Sequence, residues 1–419
     1  MQTLKQLRSG ELKGIKELRL SENLSSFPME ILDLAESLEI LDLSGNKLSD
    51  IPQEIRKLKK LKIAFFSNNS FTKLPSAFKE CSNLYMLGFK ANQIDAFDED
   101  ILPLSVSWLI LTDNKLTKLP FSMGKLARLQ KFAVAGNRLT QLPETMKECK
   151  NLELIRLSAN NLEEIPSWLL QLPKLSWLAF SGNPCSRSGE VDFKKMGHDD
   201  LDVCELLGEG ASGMIYKAYS KGLQRHVALK LFKGSITSDG YAKDEMNACM
   251  RVGEHPNLIK VLAKIEEDEK LGLILEFISQ NYSNLGNPPN FQTCTRDTYD
   301  KEFSVDAIAS VARSISSVAT HLHARNIMHG DLYAHNILIN GENACYLGDF
   351  GAASFYDETN SGYEKIEVRA FACLLDDLLS RCISKNEKEY DSLCELRDKC
   401  MDVDVERRPL FSQIELFLQ

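Results

Sequence analysis

Several short stretches in the second half of this 419-residue chain hold side chains able to do chemistry. Residues 207–218 read LGEGASGMIYKA, which spaces Gly208, Gly210 and Gly213 as G-x-G-x-x-G, with apolar Ile215 after them. Glycines at that spacing let backbone N–H groups approach phosphate oxygens with no Cβ in the way. Dinucleotide-binding folds share the pattern, so alone it decides little. Lys230 ends the strand-like run Val227-Ala228-Leu229-Lys230. Fifteen residues on, Glu245 lies in a helical pattern that ends at the turn His255-Pro256-Asn257. Residues 271–277 (LGLILEF) form another apolar strand pattern, running through Glu276 into Ile278. Asp331 and Asn336 stand five apart in IMHGDLYAHN (327–336), and Asp349-Phe350-Gly351 follows an apolar strand. Amides and an ammonium suit anionic oxygens, and side-chain oxygens suit a proton or a hard cation.

The order and approximate spacing of these stretches, with Arg407-Arg408-Pro409 before a final helix, resemble the protein kinase family over about 205–419. The resemblance implies an α+β bilobal domain that uses ATP and Mg²⁺. It places Gly208, Gly210, Gly213, Ile215, Ala228, Lys230, Glu276 and Ile278 around the nucleotide, the last two in the hinge that hydrogen-bonds adenine. It makes Lys230 the cation on the α/β phosphates and Glu245 its ion-pair partner. Asn336 and Asp349 become the Mg²⁺ ligands, and Asp331 the group that orients the acceptor hydroxyl and takes its proton. Phosphoryl transfer asks mainly for positioning and charge neutralisation, which is what such a set supplies. Serine or threonine is the family's default acceptor.

The chain departs from the family pattern in ways that bear on function. The arginine usual before the catalytic aspartate is Gly330, which removes the partner of an activation-loop phosphate. Tyr333 replaces the lysine usual two residues after it. The segment following Asp349-Phe350-Gly351 is short and lacks Ala-Pro-Glu; Glu364 and Glu367 are candidates for part of that role. The stretch from Arg369 (RAFACLLDDLL) resembles the buried helix that normally comes later. The His-Gly-Asp loop and short segment also resemble the aminoglycoside phosphotransferase family, so a small-molecule kinase is an alternative, as is an inactive kinase-fold scaffold. Residues 281–300 read as a plain surface loop. The close histidines 321, 323, 329 and 335 read as structural rather than metal-binding.

The first half is periodic. Asparagines recur at 23, 46, 69, 92, 114, 137, 160 and 183, each closing an L-x-x-L-x-L-x-x-N pattern, and most repeats continue into Leu-Pro or Ile-Pro. About eight units of 22–23 residues resemble the leucine-rich repeat family. The resemblance implies an α/β solenoid with parallel strands on its concave face, each coil burying its apolar residues against the next. Outward-pointing positions on those strands include Ile40, Ile63, Met86, Trp108, Leu154 and Trp177, predicting an exposed apolar ridge. Its expected occupant is a protein substrate or partner, or this chain's own C-terminal half. The expected domains are repeats over 1–185, a linker over 186–200 and the kinase-like domain over 201–419.

Composition narrows the remaining classes. Net charge is −9, with +3 on residues 1–190 and −12 on residues 191–419, so no basic footprint for nucleic acid exists. Eleven scattered cysteines with no C-x-x-C pair predict free thiols in a reducing compartment. No 18-residue apolar run and no signal-peptide pattern occurs, predicting a cytoplasmic protein without a membrane span.

Overall fold

A proline starts most of the repeat turns. Pro52, Pro75, Pro120 and Pro143, with φ between −66° and −71°, each precede a five-residue 3₁₀ turn, and Pro166 precedes helix α2 (Ser167–Leu170). The ring presets the φ a helical turn needs and gives up an N–H that would be unpaired there. The computed structural model describes residues 2–186, 189, 191–210, 212–233, 236–237, 239–267, 270–357 and 360–419. Two compact units divide at Leu172/Pro173. The eighth repeat strand and Asn183 therefore fall in the second unit.

In the first unit, helix α1 (Leu4–Arg8) precedes seven three-residue strands: β1 (Glu17–Arg19), β2 (Ile40–Asp42), β3 (Ile63–Phe65), β4 (Met86–Gly88), β5 (Trp108–Ile110), β6 (Lys131–Ala133) and β7 (Leu154–Arg156). Neighbours pair in parallel, with Ile40, Ile63, Met86, Trp108, Lys131 and Leu154 in one row. The asparagines hold the coils together. Asn137 donates from Nδ2 to the carbonyls of Leu111 and Val134 (both 2.9 Å), and its Oδ1 accepts from Leu116 N (3.0 Å). Asn46, Asn92, Asn114 and Asn160 repeat this arrangement. Phe66, Phe71, Phe78 and Phe89 pack ring on ring inside, with centroids 5.0–6.1 Å apart.

The ridge predicted to be open is largely covered. Ile63, Met86, Leu154 and Trp177 are at most 2% exposed, and Ile40 and Trp108 are half-buried. Stacking in register brings each residue of the row against its neighbours. Lys131 Nζ also lies over the Trp108 ring at 4.2 Å. The Phe65 ring leans where a Cβ of Gly88 would be.

The second unit begins with β8 (Trp177–Ala179). Five antiparallel strands follow, β9 (Leu201–Glu209), β10 (Gly213–Ser220), β11 (Arg225–Phe232), β12 (Val261–Glu267) and β13 (Lys270–Glu276), in sheet order β12-β13-β11-β10-β9. Within the stretch read as a linker, residues 194–196 run beside β12 (Lys264 N donates to Lys194 O, Met196 N to Lys264 O). Val191 and Phe193 pack on the sheet, while 187, 188 and 190 lie outside the described residues. Helix α3 (Ala242–Val252) packs on β12 and β13. The remainder is mostly helical: β14 (Ser283–Asn284), α4 (Val305–His323), β15 (Ile327–Met328), β16 (Ile337–Ile339), β17 (Cys345–Leu347), β18 (Ser354–Phe355), α5 (Gly362–Ser380), α6 (Lys388–Cys400) and α7 (Phe411–Phe417). Ser304 caps α4, its side chain accepting from Ala307 N, and Ile308, Val311, Ile315, Val318 and Leu322 make the buried stripe. All eleven cysteines are free. Among the described residues no helix is long and apolar enough to cross a membrane.

Asn137→Ala leaves a buried N–H and two carbonyls without that partner and should cost about 3 kcal/mol. Exposed Asn151, which donates to Ala127 O, should cost under about 1 kcal/mol when changed to Ala. Urea unfolding of the two variants checks the difference.

Candidate phosphotransfer site

The β10–β11 ladder sets Ile215 opposite Lys230. Lys230 is buried on β11 and contacts the Glu245 carboxylate of α3 directly; its Nζ lies 3.8 Å from Asp349 Oδ1. Burial disfavours the ammonium, but the charges of Glu245 and Asp349 outweigh it, and the lysine pKa rises. Burial pushes the Glu245 carboxyl up to about 7, against the pull of Lys230. A close, hydrogen-bonded partner is the condition under which such a pair tolerates burial. Asp349 has φ 52°, a left-handed conformation uncommon outside glycine and frequent at functional sites.

Ile215, Lys230, Glu245 and Asp349 line one cavity with an empty volume of about 680 Å³, walled otherwise by apolar groups such as Leu258, Leu273 and Phe350. Gly208, Gly210, Ala228, Glu276 and Ile278 do not line it. Gly208 and Gly210 close β9 with no atom within 4 Å of an added Cβ, whereas at Gly213 that Cβ would meet Leu231 O at 2.4 Å. Gly213 thus serves strand packing, and Gly208 and Gly210 leave their backbone approachable. Ala211, which follows Gly210, lies outside the described residues. Ala228 is buried on β11, Glu276 ends β13 with its N–H donating to Lys260 O, and Ile278 is half-buried just beyond.

Asp331 and Asn336 meet: Asn336 Nδ2 donates to Asp331 Oδ2 (3.1 Å) and to its carbonyl (2.9 Å). Asp331 N donates to His329 Nδ1 (3.3 Å), while His329 Nε2 is 2.9 Å from Gly348 O. His329 therefore ties the Asp331 loop to the strand leading into Asp349, and its ring packs on Phe350 at 4.9 Å.

Three features of this loop involve partners that sequence reasoning does not specify. Glu367, fully buried in α5, accepts from His329 N (3.1 Å) and Gly330 N (2.8 Å), and lies 2.9 Å from His323 Nε2. Burial works against its charge, but the His323 contact, His329 and the Gly330 N–H outweigh it, so its pKa is lowered. Glu364 instead accepts from Phe411 N (2.7 Å). The stretch 281–300, expected to be a plain surface loop, is anchored inward. Arg296 pairs with Asp376 and donates to Cys373 O, and buried Asp297 accepts from His335 N (3.2 Å) and meets His335 Nδ1 at 2.7 Å. Lastly, the Trp177 indole, expected to be exposed, stacks on Tyr333 with centroids 4.4 Å apart. The sequence names Glu367 as a candidate and the C-terminal half as an expected occupant of the ridge at Trp177 without specifying either contact, and the polar stretch 281–300 gives no sign that Arg296 and Asp297 turn inward.

The histidines read as structural have protein partners: Val252 O for His321, Tyr356 and Glu367 for His323, Gly348 O for His329 and Asp297 for His335. The donor set fits Mg²⁺: one carboxylate, half-exposed at Asp349, and one carboxamide at Asn336 whose nitrogen is already engaged. A hard cation held by two protein oxygens keeps its other positions for phosphate and water.

Comparison with known families agrees with this geometry. The protein kinase domain family matches residues 201–373. Residues 201–373 are a protein kinase domain. Leucine rich repeats match residues 36–94 and 127–184 ahead of it. The chain is 27% identical over 203 residues to fibroblast growth factor receptor 1 of Xenopus laevis, covering 43% of this chain and 25% of that protein. It is 28% identical over 157 residues to Aurora/IPL1-related protein kinase 2 of Caenorhabditis elegans (36% and 48%). It is 24% identical over 172 residues to a probable cyclin-dependent serine/threonine-protein kinase of Dictyostelium discoideum (40% and 25%). The chain thus spans between a quarter and about half the length of these relatives.

In the kinase domain, Glu367→Ala strands two buried amides and a histidine. It should destabilise the domain by about 3 kcal/mol or more, with Glu367→Gln, which keeps an acceptor oxygen, intermediate. Thermal unfolding of the full chain checks the order.

Proposed function

We propose that the chain is an ATP- and Mg²⁺-dependent protein kinase that phosphorylates serine or threonine hydroxyls. One observation carries this reading: the buried Lys230 ammonium, paired with Glu245, stands 3.8 Å from Asp349, and a second carboxylate, Asp331, is hydrogen-bonded to Asn336. Cation, metal-type oxygens and a candidate base are the parts phosphoryl transfer needs.

In this reading Lys230 binds the α/β phosphates and Glu245 keeps it from swinging away. Amides beside Gly208 and Gly210 meet further phosphate oxygens, while Ile215 and Ala228 flank the adenine and Glu276 and Ile278 hydrogen-bond its edge. Asn336 and Asp349 would hold Mg²⁺, which supplies charge neutralisation on the phosphates. Asp331 orients the acceptor hydroxyl and takes its proton. The acceptor oxygen bonds to the γ-phosphorus, the bond to the β-phosphate oxygen breaks, and ADP leaves. The repeats, over 1–185, hold a protein substrate or partner, or engage the kinase domain itself. The Trp177–Tyr333 stack favours the second for the last repeat.

Only ten residues separate Gly351 from α5. That shortness favours a second reading, transfer to a small-molecule hydroxyl. Radiolabelled γ-phosphate transfer by the purified full chain, offered protein mixtures and aminoglycosides in parallel, separates the two. Asp331→Asn should lower transfer about 10²–10⁴-fold with ATP affinity retained, and Lys230→Met should weaken ATP binding in calorimetry. Equal transfer by wild type and Asp331→Asn would overturn the reading; nucleotide binding without any transfer would leave a scaffold.

A further inference from the structure

The segment 173–186 closes the leucine-rich repeats in sequence yet folds within the same compact unit as the kinase domain. Its contacts converge on the loop that carries Asp331. Trp177 Nε1 donates to Leu332 O (3.2 Å), and the indole lies flat on Tyr333, with ring planes 6° apart. Tyr333 also stacks with the His335 ring at 5.0 Å, and His335 is fixed by Asp297. Stacking thus links Trp177 to two rings of the stretch between Asp331 and Asn336.

The same segment also holds the strand after Asp349-Phe350-Gly351. Phe180 N donates to Ser354 Oγ (2.9 Å), and Phe355 N donates to Ser186 Oγ (3.1 Å). Ser176 Oγ accepts from Arg369 (2.7 Å) and Pro173 O from Arg408 (2.7 Å), which ties the start of the segment to the helical part of the unit.

Gly330 shows how close the approach is. Its φ is +74°, and a Cβ there would lie 2.6 Å from the carbonyl oxygens of both Leu178 and Ala352. No side chain fits between the β8 backbone and the loop. Glycine immediately before Asp331 is the residue that lets the repeat strand lie against the catalytic loop.

We propose that residues 173–186 are a positioning element of the phosphotransfer site: the Trp177 indole, stacked on Tyr333, holds the Asp331–Asn336 loop in register. The proposal rests on the kinase reading for its consequence in rate, but the contact itself is independent of that reading. Buried aromatic pairs add to their packing through ring geometry, and small displacements of reacting groups cost rate steeply. The contacts named above fall on the Asp331 loop, on residues 354–355 and on Arg369 and Arg408 rather than on the residues assigned to ATP, so loss of the segment acts on turnover rather than on nucleotide affinity.

The test compares full-length Trp177→Ala, Trp177→Leu and Trp177→Phe with wild type. Amide exchange over residues 330–337 should quicken about 10-fold or more in the Ala and Leu variants, with β11–β13 unchanged. Turnover should fall about 10-fold or more with the KM for ATP within about twofold, and Phe, which keeps an aromatic stack, should recover most of both. If Trp177→Ala fails to fold, Trp177→Leu, which fills much of the space without a stack, decides. Unchanged exchange over 330–337, or a loss confined to KM, overturns the proposal. A wild type that transfers no phosphate removes the kinase reading instead, and the exchange comparison still decides whether the segment orders the loop.

Discussion

A carboxylate sealed from water organises the kinase domain's chemistry. Glu367 is 1% exposed, and its oxygens find two backbone amides and an imidazole. An unsatisfied buried charge would be prohibitive, so the amides of His329 and Gly330 have one place to be. With those amides fixed, His329 reaches Gly348 O and the next residue, Asp331, receives its position. The helix that supplies the carboxylate packs with fourteen buried residues, which makes the anchor rigid. The geometry at Asp331 therefore depends on a residue 36 positions away in sequence. Those contacts hold the backbone, and the side-chain chemistry is mounted upon it.

How much of this was legible in the sequence follows from the range of each interaction. The repeat period is local: an asparagine every 22 or 23 residues reports a coil that must satisfy the same carbonyls each turn, and the structure shows those bonds. The motifs around Lys230, Asp331 and Asp349 are legible because each is a contiguous string with a distinctive residue pattern. Glu367, Asp297 and Trp177 are not, since each owes its role to a contact separated by 37, 38 or 155 residues. The ridge shows the same limit. Alternation along a strand tells which face a side chain takes, and nothing about what covers that face. Met86 is almost wholly buried and Ile40 only half, although both occupy the same row.

The glycines show how one residue type answers different physical demands. Gly208 and Gly210 have open space where a Cβ would stand, so their backbone is approachable from outside. Gly213 and Gly330 have neighbouring backbone carbonyls there, so glycine is required by packing. In the sequence, Gly213 belongs to a phosphate-binding signature and Gly330 reads as the loss of an arginine. In the structure the two share a cause: two stretches of backbone approach more closely than any side chain allows. A replaced motif residue is thus not by itself a sign of decayed function. At Gly330 the replacement coincides with a strand passing 2.6 Å from the missing Cβ, and the loop it belongs to keeps its bond between Asp331 and Asn336. What would count against a working site is a broken Lys230–Glu245 contact or a parted Asp331–Asn336 pair, and both are made.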